Sequence, residues 1–162
     1  LNCRNEGLEN DSPPIFIFDR LLRLPNTAAV LQSPYPVTLF CSEVAPEQRR
    51  QMLGDAGCVI VPLPEDADGR PDVGAALHYM GARGINHGLV EAGTGLVTSF
   101  LAAGAANCIY WTQSDHILGG DALPAVGQFT TQTINAVAIF AQNRYTQTHY
   151  QAIGRDRLII LQ

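Results

Sequence analysis

Only 15% of the 162 residues carry charge, and the formal net charge is −5. No stripe of basic residues stands out, which argues against a nucleic-acid partner, because such proteins neutralise phosphates with clustered Lys and Arg. Cysteine is sparse as well. Cys3, Cys41, Cys58 and Cys108 lie far apart, with no Cys-x-x-Cys pair and no His at ligand spacing, so neither a zinc site nor a disulfide scaffold is expected. His78, His87, His116 and His149 form no pair at triad or metal spacing and read as structural or exposed. Long apolar runs are also missing. The stretch from Leu96 to Trp111 is broken by Thr98, Ser99 and Asn107, short of the roughly 20 apolar residues a membrane span requires. No signal peptide, internal repeat or low-complexity tract is visible. The chain opens on polar "LNCRNEGLENDS" without Met, so further residues upstream are expected.

What is present is an ample apolar complement, 46% of the residues, enough for one domain over residues 1–162 with a single sizeable core. "PPIFIFD" (13–19), "PVTLFCS" (36–42) and "CVIVPLP" (58–64) are short β-rich runs with Pro or a polar residue at their ends and read as buried strands. Cys41 and Cys58 in them read as small buried hydrophobes. "RLPNTAAVLQSPY" is a connection with at most one short helix. "APEQRRQMLGDAG" fits a helix with a Gly stop, and Asp72 is placed to cap a second helix in "VGAALHYMGARG". "INHGLVEAG" reads as a fourth strand, "TGLVTSFLAAG" as a helix and "NCIYWTQ" as a fifth strand whose Tyr110 and Trp111 read as core, or at most as a pocket wall. Strands alternating with helices predict a mostly parallel sheet with right-handed crossovers. Residues 115–129 read as loop. The tail runs "AVAIFAQ", "RYTQTHYQAI" and "RDRLIILQ" are strand-like, the last two forming an antiparallel hairpin about Gly154.

In an open parallel sheet, ligands collect beyond the carboxyl ends of the strands, where loops enter helix N-termini. "GLVEAGTGLVTSFLAAG" (88–104) places Glu91 at such an end and Gly93, Thr94, Gly95 and Leu96 at the helix start. Unpaired N–H groups and the positive end of the helix dipole suit a phosphate there, and Gly permits close approach. Two readings remain open, because Gly at a strand-to-helix turn also serves geometry alone. Glu91, if buried, requires a partner, and a salt bridge or cap also accounts for it. "GGDALP" reads as a structural turn.

"GINHGLVEAGTGLVTSFLAAG" resembles the "RGI-LLVEGG-TL--SFL-AGLVDEL" signature of the riboflavin-biosynthesis reductase. This is the C-terminal domain of the bifunctional pyrimidine deaminase/reductase, which has a dihydrofolate-reductase-like fold. "SPPIFIFDRLLRLPNTAAVL" is similar to the family's strand and "D--LR-P" segment, "LPEDADGRPDV" to the turn before its long helix, and "ILGGDALPAVG" to its "LLGG-A-P" loop. "LNCR" resembles its "LTVR", and "AIGRDRLIIL" its closing hairpin. The resemblance covers nearly the whole chain with the motifs in family order. The family's earlier segment of this domain and the zinc signature of the deaminase half have no counterpart here.

The resemblance implies an α/β domain, N-terminally incomplete, with a mostly parallel sheet flanked by helices and a C-terminal antiparallel hairpin. It implies NADPH-dependent reduction of the ribosyl group of 5-amino-6-(5-phosphoribosylamino)uracil to ribityl, in the cytoplasm, by a homodimer with a deaminase domain fused or partnered. Alternatives are another dihydrofolate-reductase-like pyrimidine or pterin reductase, or an inactive domain that binds nucleotide weakly. Gly93, Thr94, Gly95, Leu96, Val97, Thr98 and Ser99 match the stretch that holds NADPH phosphates, and Arg20 a position near the cofactor. Glu91, Arg4 and Leu1 match substrate-contacting positions. Arg4 suits a ribose phosphate through its guanidinium fork. The family more often has Thr one position later than Thr94, and Gly95 loosens the helix start. No catalytic side chain and no metal are implied.

Overall fold

Two prolines precede the run Ile15–Phe18, whose alternating Ile and Phe form strand β1. The computed structural model describes residues 6–7, 12–116, 118–127 and 145–162. β1 pairs in parallel with β2 (Val37–Ser42), and β2 with β3 (Val59–Leu63), in the order β1-β2-β3. All six residues of β2 are buried, as befits the central strand of a parallel sheet covered on both faces.

Successive side chains of a strand point to opposite faces, and the core divides accordingly. Val37, Leu39 and Cys41 pack with Ile15, Leu22, Ala45, Cys58 and Leu53 of helix α1 (Glu47–Asp55). Phe40 packs on the other face with Leu63, Phe16, Phe18, and Ala76, Tyr79 and Met80 of helix α2 (Val73–Gly81). The Phe40 ring lies 5.7 Å from Phe16 and meets Tyr79 edge-on at 5.5 Å, a favoured aromatic geometry. Each helix thus covers one face, and burial pushes the thiols of Cys41 and Cys58 up from their ordinary pKa.

Polar contacts seat the helices. Arg49 of α1 donates from Nε to the Leu22 carbonyl at 2.7 Å and from Nη2 to the Leu24 carbonyl. Leu22 is fully buried with φ of 54°, a conformation rarely adopted by non-glycine residues. The Asp72 carboxylate accepts the Ala75 N–H at 2.7 Å, the cap the sequence implies. The connection between β1 and β2 holds one short 3-10 helix, Ala29–Gln32.

The chain divides between Asn86 and His87 into two compact units. The second contains helix α3 (Thr94–Ala102) and strands β4 (Ile109–Gln113), β5 (Gln147–Ile153) and β6 (Asp156–Leu161). These strands form an antiparallel sheet in the order β4-β6-β5. Gly154, with φ of 63°, turns β5 into β6 as expected.

Three expectations are corrected here. Residues 85–93 form no strand; Leu89 is 77% exposed, and the β-rich run has no ladder partner among the described residues. His87 therefore begins no strand. The run "NCIYWTQ" does form a strand, but it pairs antiparallel with the tail rather than extending the parallel sheet. Tyr110 on it is 64% exposed, not core, while Trp111 is half-buried. Apolar patterning marks these runs as strand-like, but pairing partners decide whether and where they pair. The run "AVAIFAQ" lies outside the described residues. No described helix is long and apolar enough to cross a membrane.

Candidate cofactor site

Helix α3 begins after Gly93, whose carbonyl accepts the Val97 N–H at 3.2 Å. The N–H groups of Thr94, Gly95 and Leu96 precede that first helical bond, so they belong to the set every helix N-terminus leaves without an intrahelical acceptor. No side chain caps this end and no acidic residue lies in its first turn. The positive end of the dipole is therefore unopposed within the turn, as an anion requires.

The glycines there are not demanded by the fold. Gly93 has φ of −77°, open to any residue, and a Cβ at Gly93 or at Gly95 meets nothing within 4 Å among the described residues. Neither a positive φ nor a close packing contact among the described residues calls for glycine at Gly93. The space a side chain would take stands over the helix end.

The hydroxyls of α3 are used differently. Thr94 donates to the Pro124 carbonyl, so its proton is committed to the loop and the backbone N–H groups are left as the donors of the turn. Thr98, only 2% exposed, donates to the Thr94 carbonyl at 2.6 Å and accepts the Gly127 N–H at 2.8 Å. Ser99 is buried as well, while Leu96 and Val97 are half-buried. The end of "GGDALP", read as a turn, and Gly127 just after it are thereby tied to the start of α3. Sequence reasoning missed this link, and the small residue Gly127, whose Cβ would fall 3.2 Å from Thr98 Oγ1, was its one visible sign.

Glu91 is exposed in the irregular segment before α3 and has no hydrogen bond or ion pair among the described residues. Its carboxylate is solvated and needs no partner to offset burial. Leu1 and Arg4 lie outside the described residues.

Arg20 belongs to the first unit. It follows β1 at the carboxyl edge of the parallel sheet, and its Nε lies 2.7 Å from Glu65 Oε1, just beyond β3. The Arg20 and Ser42 hydrogen bonds hold the Glu65 carboxyl below its ordinary pKa. The described residues contain no group of His, Cys, Asp and Glu arranged to hold a metal ion. Ser114, Asp115 and His116 do meet, at 3.1 and 2.8 Å, but both partners address the same His116 Nδ1 on an exposed ring. A catalytic triad instead divides its partners between the two ring nitrogens.

The family model described as the RibD C-terminal domain matches residues 1–159. No match is found among curated proteins. Two solved structures of the Acinetobacter baumannii RibD resemble the chain. Form 2 aligns with a TM-score of 0.73 at 21% identity, over 99% of this chain and 41% of that one. Form 1 aligns with a TM-score of 0.68 at 22% identity, over 92% of this chain and 37% of that one. The chain thus spans about two fifths of the length of these relatives and shares their fold.

Proposed function

Since this chain belongs to the RibD C-terminal domain family, we propose that it is the reductase of riboflavin biosynthesis, using NADPH to convert a phosphoribosylamino-pyrimidine to its ribityl form. The observation that carries the reading is the amino end of α3: two glycines with open space above them, no cap, and no acid in the first turn. When bound, NADPH supplies the hydride for C1′ of the ring-opened sugar imine, and the protein's task is chiefly to orient the two reactants.

The first-turn N–H groups of Thr94, Gly95 and Leu96 hold cofactor phosphate in this reading. Arg20 contributes a fixed positive charge to the cofactor. Glu91, exposed and unpaired, accepts hydrogen bonds from substrate, and Arg4 and Leu1 complete the substrate contacts implied by the family. The α3 end fits the group as a donor surface without competing carboxylates in its first turn. A homodimer in the cytoplasm, with a deaminase domain fused or partnered, belongs to the same proposal.

Titration of the purified chain with NADPH, followed by nicotinamide fluorescence, tests it. Saturable binding is expected, and Gly93→Val should weaken it at least about tenfold by filling the open space over the helix end. Unchanged NADPH affinity in Gly93→Val removes the phosphate role of α3, and no binding by the folded wild type removes the reading.

A further inference from the structure

Three polar side chains mark the carboxyl ends of the three parallel strands. Arg20 follows β1, Ser42 ends β2 and Glu65 follows β3. They are joined: Arg20 Nε donates to Glu65 Oε1 at 2.7 Å, and the 1% exposed Ser42 helps to hold the same carboxyl below its ordinary pKa. The Ser42 N–H in turn donates to the Arg20 carbonyl at 2.9 Å. The turn after β3 passes within van der Waals distance of this pair. Gly69 has φ of 71°, and a Cβ there would lie 3.7 Å from Glu65 Oε2 and 3.8 Å from Arg20 Nη2.

An arginine carries five N–H donors in a rigid fork. Glu65 takes the Nε side, and neither Nη nitrogen has a hydrogen-bond partner among the described residues. The chain contains no lysine, so its fixed side-chain cations are all arginines. A guanidinium held by a neighbouring carboxylate on one side presents its terminal fork with less orientational freedom to lose, which strengthens bidentate recognition of phosphate.

We propose that Glu65 is a positioning residue: together with Ser42 it holds Arg20 across the carboxyl edge of the parallel sheet so that the Nη fork meets a phosphate of the bound dinucleotide. This rests on the reading of Arg20 as a cofactor residue.

A double-mutant cycle on the full chain tests it, with NADPH dissociation constants for the wild type, Arg20→Met, Glu65→Ala and the double variant. Arg20→Met and Glu65→Ala should each weaken binding about tenfold, and the double variant no further than Arg20→Met alone. Glu65→Gln, which keeps an acceptor for Nε, should restore most of the loss. Wild-type affinity in Glu65→Ala, or losses that multiply in the double variant, overturns the inference while leaving the reductase reading intact. If Glu65→Ala fails to fold, Glu65→Asp, with the charge kept and the reach shortened, takes its place with the same expected direction. If the wild type binds no NADPH, the Arg20 Nε–Hε NMR signal is followed during titration with inorganic pyrophosphate. A shift in the wild type that is lost in Glu65→Ala sustains the pair and overturns the NADPH reading alone, and no response overturns both.

Discussion

Thr98 on helix α3 accepts the backbone N–H of Gly127 at 2.8 Å, across 29 residues of chain. The hydroxyl also donates to the Thr94 carbonyl at 2.6 Å, so both of its roles are spent on holding the loop to the helix start. Replacing Thr98 by Val keeps the volume and leaves the Gly127 N–H without its partner. The expected loss is about 1–3 kcal/mol of folding stability, the cost of an unsatisfied buried donor, and urea unfolding checks it. Gly127→Ala should destabilise in the same direction, since its Cβ would come within 3.2 Å of Thr98 Oγ1.

Asp72 caps α2 through the Ala75 N–H. Asp72→Ala should cost about 1 kcal/mol, read as a lower Tm in a calorimetric scan, whereas Asp72→Ser, also a good cap, should stay near the wild type. Equal stability of all three would mean that α2 is held by its packing on Phe40 alone.

Glu91 makes no hydrogen bond or ion pair among the described residues and stands exposed. Glu91→Ala should therefore leave stability within about 0.5 kcal/mol. Under the proposed function the same variant lowers kcat/KM for the phosphoribosylamino-pyrimidine, with the NADPH dissociation constant unchanged. Parallel urea curves and steady-state kinetics separate the two effects.

The pH dependence follows from the Glu65 carboxyl. Its pKa in the folded chain is lowered, first by the Arg20 hydrogen bond and then by Ser42. A lowered value stabilises the fold above the unfolded carboxylate pKa, and the contribution is lost as pH falls through the folded value. The stability difference between wild type and Glu65→Gln should accordingly be constant near neutrality and shrink in acid, below the ordinary 4.5. A carboxyl carbon NMR titration locates the folded value directly, and a midpoint at or above the ordinary one would contradict the ion pair.

Burial raises the pKa of Cys41 and Cys58, so both remain thiols at neutral pH and a thiolate-directed alkylating reagent should reach them last. Cys108, only half-buried, should react before them in the native chain. Mass spectrometry of the alkylated peptides over time gives the order.

Much of this protein was determined by local sequence. β1, β2 and β3, both helices that cover them, the Asp72 cap, the α3 start at Gly93 and the Gly154 hairpin follow from short-range pattern: apolar runs, capping residues and turn glycines act over a few positions. The family signature around Glu91 and Gly93 is equally local, and it identifies the stretch before any contact is known.

Partnership was decided only by the tertiary structure. "INHGLVEAG" has the composition of a strand, yet a strand exists only where a neighbour completes its hydrogen-bond ladder, and among the described residues none does. "NCIYWTQ" found its ladder with β6, near the chain's end, and became antiparallel. The Arg20–Glu65 pair spans 45 residues and the Thr98–Gly127 bond spans 29. Neither bond is encoded at any fixed spacing. Both arise because the sheet brings its strand ends together in one unit and the loop returns to its helix in the other, and hydrogen bonds then form between whatever polar groups the fold has placed within reach.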